Sequence, residues 1–519
     1  MKNPDVVLIV PPSESFRQAE EHLGIGYLSA VLKVSGISSI IIDGFLGQMS
    51  CADIAENLKV LKPRIIGFSP YQDSLGSFSK LAKFVRDKLP NVHISLGGFL
   101  SSFNYSWLFS SFPNLFDSIV VGEGEVSFSE LVKSILSGKD WRMVRGIVFR
   151  EGSEIIKNPA QSKILNLDSL PFPDRSTIKE TLSQKNPLHI CASRGCYGNC
   201  TFCSVNAFGR LSIGEKWRGR SVRNIIDEVE LLQKEYGAVY FKFIDDCWFP
   251  LQEKKERAIE FCQELDKRNL RIKFRLSCRV NDVEYDIFKE LKERGLFSVS
   301  LGVESIISRQ LKEWKKGVTP EQNILTLEIC RKLGIIVQMG YIMLDRNTTL
   351  EELKQHLSFL KKSRFTITKG IYSFVFAAEG TDLTEDYKKN GKTEKRGINL
   401  DYDFKSKEVS EIASALKKWS KFYGDTYSWA IDSLSAPKAI SAAERQEIHQ
   451  MVMALKKKEL GILRVLIKLA EERHTALMDS YIKREIAGSR AFFAAIEDRL
   501  TNFYKKAGLF YRKGSNIYL

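Results

Sequence analysis

Over the first 140 residues, short runs of β-branched and other apolar residues alternate with stretches whose apolar positions recur every three or four residues. The runs lie at 6–10, 39–42, 64–68, 92–96 and 118–121, and the helical patterns at 26–34, 52–61, 77–89, 107–112 and 125–136. This alternation predicts an α/β domain over 1–140 built on an open, doubly wound sheet of five parallel strands. Runs at 146–150 and 153–157, turning at Glu151-Gly152, predict a hairpin inside a linker over 141–185. Pro171 and Pro173 should hold 167–174 extended.

The alternation resumes with strands at 188–193, 239–244, 273–277, 297–302, 335–342 and 370–376. Helix starts are well marked: Thr319-Pro320-Glu321-Gln322 supplies a cap, a first-turn proline and a capping-box Gln, and Thr349 with Glu352 repeats the box. Six strand–helix units predict a partial (β/α)6 TIM-like barrel over 186–400, with functional residues at the carboxyl ends of its strands. From 401 to 519 only helical patterns remain, at 406–422, 442–457, 460–472 and 478–504. This all-α region is expected to cap the barrel mouth and shape a substrate pocket.

A chain of 519 residues exceeds what one core supports, in keeping with several domains. The apolar run 6–10 is strand-length and stops at Pro11-Pro12, unlike a secretory signal, and the apolar segment 461–470 contains Arg464 and Lys468 and is too short to span a bilayer. A cytoplasmic protein with no membrane partner is expected. The net charge of +15 is spread out: residues 401–519 hold 21 Lys and Arg against 15 Asp and Glu, a net of +6, leaving +9 for the first 400. Lys456-Lys457-Lys458 reads as a solvated helix face, so nucleic acid is not an expected partner. Six of nine cysteines are scattered singly, as in a reducing compartment.

The other three stand in Arg194-Gly195-Cys196-Tyr197-Gly198-Asn199-Cys200-Thr201-Phe202-Cys203, just after the first barrel strand. A structural zinc site needs four ligands, so Cys196, Cys200 and Cys203 fall one short. An iron–sulfur cluster is normally held by four thiolates, and three would leave one iron open. A zinc knuckle or chance clustering is the competing reading. With an aromatic, Phe202, before the last cysteine, the loop resembles the cluster loop of radical S-adenosylmethionine enzymes. That resemblance implies a 4Fe-4S cluster on the three cysteines and S-adenosyl-L-methionine chelated at the open iron. It also implies cofactor-binding roles for Phe202 and for the strand-end residues Asp245 (with Asp246 beside it), Ser277, Arg279 and Glu304. Acids there suit ribose hydroxyls and an ammonium group, and Arg279 suits a carboxylate. Residues 340–345 depart from the family pattern, and Glu379-Gly380-Thr381 has Glu where Pro is usual.

The first domain carries small or turn-forming residues at its strand ends: Pro11-Pro12-Ser13, Ser69-Pro70-Tyr71, Gly97-Gly98 and Gly122-Glu123-Gly124-Glu125. Ligands of such sheets bind there, yet no Gly-x-Gly-x-x-Gly or Walker pattern follows the first strand. With Gly24-Ile25-Gly26-Tyr27-Leu28, these motifs resemble the flavodoxin/Rossmann-like cobalamin-binding domain that precedes the radical domain in one enzyme class, and 167–174 resembles its linker. Pro12, Ser69, Tyr71, Gly97, Gly98, Gly122 and Glu123 are the implied cobalamin contacts. The Asp-x-His-x-x-Gly loop that ligates cobalt in other cobalamin proteins is missing, so base-off binding without a protein His is expected; a purely structural domain is the alternative.

The resemblance implies a cobalamin-dependent radical S-adenosylmethionine enzyme that methylates an unactivated carbon of a small-molecule or natural-product substrate through a 5'-deoxyadenosyl radical. No catalytic side chain is singled out. Alternatives within the class are cyclisation, ring contraction, rearrangement or aminocarboxypropyl transfer. tRNA modification would call for further N-terminal cysteines and a C-terminal β-barrel, and an electron carrier or cobalamin sensor would not need residues that grip S-adenosylmethionine. The expected partners are the substrate and an external electron donor such as flavodoxin or ferredoxin, with the chain a monomer.

Overall fold

All five residues of strand β1 (Val6–Val10) are buried, and so are all four of β3 (Ile65–Phe68), because helices cover both faces of their sheet. The computed structural model describes residues 3–13, 19–363, 366–368, 372–434 and 441–507. With β2 (Ser39–Asp43), β4 (His93–Leu96) and β5 (Ser118–Val120), these strands run parallel in the order β2-β1-β3-β4-β5. The order reverses between β1 and β3, the switch point at which such sheets bind ligands.

The hairpin assigned from sequence to the linker belongs to this sheet. Its strands β6 (Ile147–Glu151) and β7 (Glu154–Lys157) add antiparallel to β5, giving seven strands. Without them β5 would be an open edge; β7, short and bounded by Glu154 and Lys157, is a poor template for further pairing.

The second sheet has six strands in the order β15-β14-β13-β12-β11-β8, all neighbours parallel. They are β8 (Leu188–Ile190), β11 (Tyr240–Phe243), β12 (Lys273–Arg279), β13 (Leu296–Glu304), β14 (Ile336–Tyr341) and β15 (Ile367–Thr368). After β8 an antiparallel ribbon, β9 (Ser193–Gly195) with β10 (Trp217–Gly219), frames the cysteine loop. One face of the sheet packs Phe241, Phe243, Leu276, Leu301 and Met339 against the surrounding helices. Alternation puts Lys242, Arg275, Ser277, Ser300, Gly302, Gln338 and Gly340 on the concave face, where they stay partly accessible. Of the sixth predicted strand, Gly370 and Ile371 lie outside the described residues; an isolated bridge pairs Phe374 with Leu344.

Three long helices follow, Lys407–Leu434, Ala442–Glu471 and Met478–Ala507. The two patterns at 442–457 and 460–472 are one helix, since Gly461 costs some propensity without ending it. These helices do not cap the mouth. Ile431 and Leu434 meet Phe297, Ile336 and Ile367 at the starts of the strands, so they close the opposite end of the barrel. Lys456 is not solvated either: it is 3% exposed and donates to the carbonyls of Ser363 at 2.7 Å and Thr366 at 3.0 Å. The mouth side instead carries a hairpin that sequence patterning did not predict, β16 (Thr393–Arg396) with β17 (Asn399–Tyr402). It reaches the first domain, where Gln72 bonds Asn399 at 3.3 Å. Among the described residues no helix is long and apolar enough to cross a membrane.

Buried ion pairs join the two α/β regions. Glu123 takes both Arg218 and Arg194, and Glu125 takes Arg194 at 2.7 Å. Arg175 bridges Glu21 at 2.8 Å and Glu228 at 2.7 Å, and Glu228 also binds Arg220 at 2.5 Å. Removing one member of a buried pair leaves an uncompensated charge, at a cost of about 3–5 kcal/mol. Arg218, only 2% exposed, is the sharpest case: Arg218→Met should lower stability by about 3 kcal/mol in urea unfolding. An unchanged midpoint would show that the clamp is not a stabilising element.

Candidate functional site

Both stems of the cysteine loop are fixed before the loop begins. Arg194 and Arg218 are cross-strand partners on β9 and β10, and Gly195, the next residue on β9 and opposite Trp217, has φ +82°, where a Cβ would lie 1.9 Å from the Lys216 carbonyl. Only glycine fits there. Cys196 and Cys203 are half-buried and Cys200 is buried, with Cys203 capping the helix Ser204–Gly209. Thr201 N–H donates to the Trp314 carbonyl at 3.0 Å, and Phe202 packs edge-to-face on Trp314 at 5.5 Å.

Arg279, read from sequence as a carboxylate binder, leans on this loop instead. One guanidinium nitrogen lies 3.4 Å from Cys200 Sγ, another donates to the Lys316 carbonyl, and the group stacks over Tyr197 at 5.2 Å. Gly198 makes room for it, since a Cβ there would stand 2.0 Å from that guanidinium. Beneath lies Asp282, fully buried in the turn after β12. It accepts from Tyr197 Oη at 2.5 Å and Arg279 N–H at 2.9 Å, pairs with Lys254 at 3.0 Å, and has Cys247 Sγ at 3.4 Å. Sequence reading missed Asp282 and treated Cys247 as a core residue. Strand-end position could have pointed to Asp282; nothing local marks Cys247. A hydrogen bond from Cys247, helped by the Gly198 N–H and Arg279, pushes the Cys196 thiol down to about 6, whereas burial pushes Cys203 up to about 11.

The other strand-end candidates divide. Asp245 is buried and faces inward to Ser193, whose Oγ donates to it at 2.7 Å, and burial raises its carboxyl to about 6. Its neighbour Asp246 faces the mouth beside Gly195 and Cys196; enclosure by protein and repulsion from Cys196 and Asp245 push it up to about 7. Ser277 lies on the concave face, half-buried. Glu304 sits at φ +65° where β13 slips its register with β14. Its carboxylate lies over Gly302 and Gly340 and 3.5 Å from Lys316. Asp246 and Glu304 therefore rim one mouth with the cysteine loop, whereas Asp245 and Arg279 support it from below.

In the first domain Ser69, Tyr71, Gly97 and Gly98 come together at the switch-point side. Gly97 has ordinary extended backbone, φ −153°, and a Cβ there would meet nothing within 4 Å, so glycine leaves space rather than relieving strain. Gly98, at φ +86°, needs glycine for its backbone. Tyr71 and Phe99 stand 40% and 45% exposed beside that space. The other three candidates face elsewhere: Pro12 packs on Gly44, Gly122 abuts Ser212, and the Glu123 carboxylate is held by Arg218 and Arg194. His22 lies nearby but is engaged, with Nδ1 accepting from Ile25 N–H at 3.3 Å and Nε2 bonded to Ser69 Oγ at 3.0 Å. Burial lowers His93 to about 4 at the far end of β4, bonded to Ser118.

These residues fit both implied groups. Among the described residues no three His, Cys, Asp or Glu side chains converge as on a single ion, whereas a cubane takes each thiolate on a different iron. The space over Gly97, flanked by Tyr71 and Phe99, suits a flat macrocycle, and the nearby His22 imidazole is engaged by Ser69 and Ile25.

Each hydrogen bond to an ionised group contributes about 1.5–3 kcal/mol, so Asp282 should govern how well the loop holds iron. Asp282→Ala should lower iron retained after anaerobic reconstitution and broaden the EPR signal of the reduced cluster, with Tyr197→Phe causing a smaller loss. Full iron content and an unaltered spectrum in a folded Asp282→Ala protein would remove Asp282 from this role.

Comparison with known proteins bears on the same two regions. Residues 190–360 match the radical SAM superfamily and residues 14–132 the B12 binding domain. The chain is 30% identical over 380 residues to an uncharacterized methyltransferase of Pyrococcus horikoshii, covering 71% of this chain and 81% of that protein. It is 28% identical over 343 residues to the anaerobic magnesium-protoporphyrin IX monomethyl ester cyclase of Rubrivivax gelatinosus, covering 64% of this chain and 60% of that protein. Its fold superposes with a TM-score of 0.77 on the cobalamin-dependent S-adenosylmethionine radical enzyme OxsB with aqua-cobalamin bound, at 21% identity over 97% of this chain and 80% of that one. With the three-cysteine loop at the barrel mouth and the open strand ends of the first sheet, these matches show that the chain belongs to the cobalamin-dependent radical S-adenosylmethionine enzymes.

Proposed function

We propose that this enzyme methylates an unactivated carbon of a small organic substrate held between its two α/β domains. The observation that carries this reading is the stacking of Phe99 on Phe208, centroids 4.0 Å apart and 16° from parallel. Phe99 follows the Gly97-Gly98 turn and Phe208 belongs to the helix capped by Cys203, so the two cofactor regions meet through this stack and the edge-on contact of Phe103 with Phe208 at 6.2 Å. The methyltransferase relative is in keeping with methyl transfer, and the cyclase relative keeps ring closure as the second reading.

In this reading residues 1–140, with the hairpin 147–157 added to their sheet, hold cobalamin, 186–400 form the radical domain, 158–185 link them, and the helices Lys407–Leu434, Ala442–Glu471 and Met478–Ala507 brace the barrel. Cys196, Cys200 and Cys203 hold a 4Fe-4S cluster. Asp246 and Glu304 orient S-adenosylmethionine through its ammonium and ribose groups, with Ser277 below them. Phe202, wedged on Trp314, keeps water from the loop, and Asp245 holds the strand end through Ser193. Ser69, Tyr71, Gly97 and Gly98 receive cobalamin. When bound, the cluster supplies reductive cleavage of S-adenosylmethionine and the cobalamin supplies a transferable methyl group; the protein supplies orientation and exclusion of water.

Anaerobic incubation of the reconstituted protein with reductant, hydroxocobalamin and methyl-labelled S-adenosylmethionine should yield 5'-deoxyadenosine. With extract from a producing cell, label should enter a product one CH2 heavier than its precursor. Each single Cys→Ala variant at 196, 200 or 203 should abolish 5'-deoxyadenosine, and turnover in any of them would overturn the cluster assignment. A product without label would move the function to cyclisation or rearrangement.

About one cobalamin per chain should bind, with no nitrogen splitting from an axial ligand in its cob(II)alamin EPR spectrum. Gly97→Phe should abolish that binding while leaving the iron content unchanged. Undiminished cobalamin in this variant would place the site elsewhere.

A further inference from the structure

TIM-type barrels fill their lumen with layers of bulky branched side chains. This one does not. The layer in register across β12, β13 and β14 holds Ser277, Ser300 and Gln338, and the next layer toward the mouth holds Gly302 and Gly340. With no side chains on the glycines, Ser277, Ser300 and Gln338 stay partly accessible two residues, about 7 Å, below them. Deeper still the lining turns mainly apolar, with Phe297, Ile336, Ile367, Ile431 and Leu434.

Arg275 reaches up into the serine layer from the layer beneath. Its Nη2 donates to Ser300 Oγ and Gln338 Oε1, both at 2.6 Å, which carries the guanidinium across β13 toward β14 and away from the cysteine loop that follows β8. Nε and Nη1 bond no described residue, and no described carboxylate pairs with the group. The other charges around the lumen are engaged. Lys242, beside Arg275 on β11, is held by Glu20 of the first domain, which also lies 3.6 Å from His189. At the rim Glu304 stands 3.5 Å from Lys316, and Asp246 lies beside Cys196. Glu20 and Asp432, the latter on the helix that closes the base, attract Arg275 from beyond pairing distance, and that attraction does not offset its burial.

We propose that Arg275 is a specificity-determining residue that takes an oxyanion of the substrate, a carboxylate or a phosphate, deep in the barrel lumen. The proposal rests on the reading of the mouth above as the place of the radical chemistry. The anion passes the glycine layer and accepts from Nε and Nη1, which pins one end of the substrate so that its reacting carbon stands at the mouth. A neutral substrate of the same length would leave the guanidinium enclosed without a counter-charge, which is costly. The step is binding alone, with no bond formed or broken.

The test titrates the reconstituted holoprotein, with S-adenosylmethionine and hydroxocobalamin already bound, with inorganic phosphate and separately with acetate. At least one of the two should bind, at about one per chain, and Arg275→Gln should weaken it about tenfold to a hundredfold. Arg275→Lys, which keeps the charge, should fall between. Iron content and S-adenosylmethionine affinity should not change in either variant. In cell extract, the compound that accepts labelled methyl should be retained by an anion-exchange resin. Phosphatase treatment should abolish its acceptor activity if the anion is a phosphate, and carbodiimide amidation if it is a carboxylate. Equal anion binding by wild type and Arg275→Gln, or an acceptor that passes through the resin, would overturn the proposal. Weakened S-adenosylmethionine binding in Arg275→Gln would also overturn it, by moving Arg275 to the cofactor. A wild type that forms no 5'-deoxyadenosine would instead overturn the reading on which the proposal rests.

Discussion

Everything at the mouth hangs on two arginines that stand side by side. Arg194 and Arg218 face each other across the short ribbon of β9 and β10, the two stems of the cysteine loop. Adjacent guanidiniums repel, and so short a ribbon would open without a counter-charge. Glu123 and Glu125, at the carboxyl end of the first sheet, supply it. The same ion pairs that join two domains therefore fix the loop that holds the cysteines. Such pairs gain little net stability over apolar packing, but breaking one is costly, and that asymmetry suits a joint whose geometry must not vary.

A second layer of charge works beneath the loop. Asp282 is completely buried and holds four donors from three segments, among them Tyr197 of the loop and the Arg279 backbone. Arg279 in turn leans on Cys200. At the mouth above, Asp246 is exposed and Glu304, part-buried 3.5 Å from Lys316, lies over Gly302 and Gly340. At the barrel's base, the end of helix Lys407–Leu434 closes it with Ile431 and Leu434.

Much of this was legible in the chain alone. Apolar runs alternating with helical periodicity set out both parallel sheets, because a strand buried on both faces must be apolar throughout. The three cysteines, eight residues from first to last, were legible as one group because so short a loop keeps them in one region of any fold. The Gly97-Gly98 pair was visible at a strand end, where Gly98 takes the positive φ that glycine allows. Capping boxes at Thr319 and Thr349 form as written, since each is settled within four residues.

The rest depended on partners far away in sequence. Which of Asp245 and Asp246 faces the mouth was decided by Ser193, some fifty residues earlier, which draws Asp245 inward. Glu123 and Gly122 looked like ligand contacts until the barrel's Arg218 and Ser212 came against them. Lys456 looked solvated until the Ser363 and Thr366 carbonyls needed a donor. The hairpin at 147–157 looked like a linker until β5 needed an edge partner. Sequence by itself determined the strands and helices of the two parallel sheets, their order and the grouping of the three cysteines, because periodicity and short spacing are local. Only the tertiary structure decided which charges are buried and paired and which face a ligand, because a charge takes its role from whatever partner the fold brings within a few ångströms.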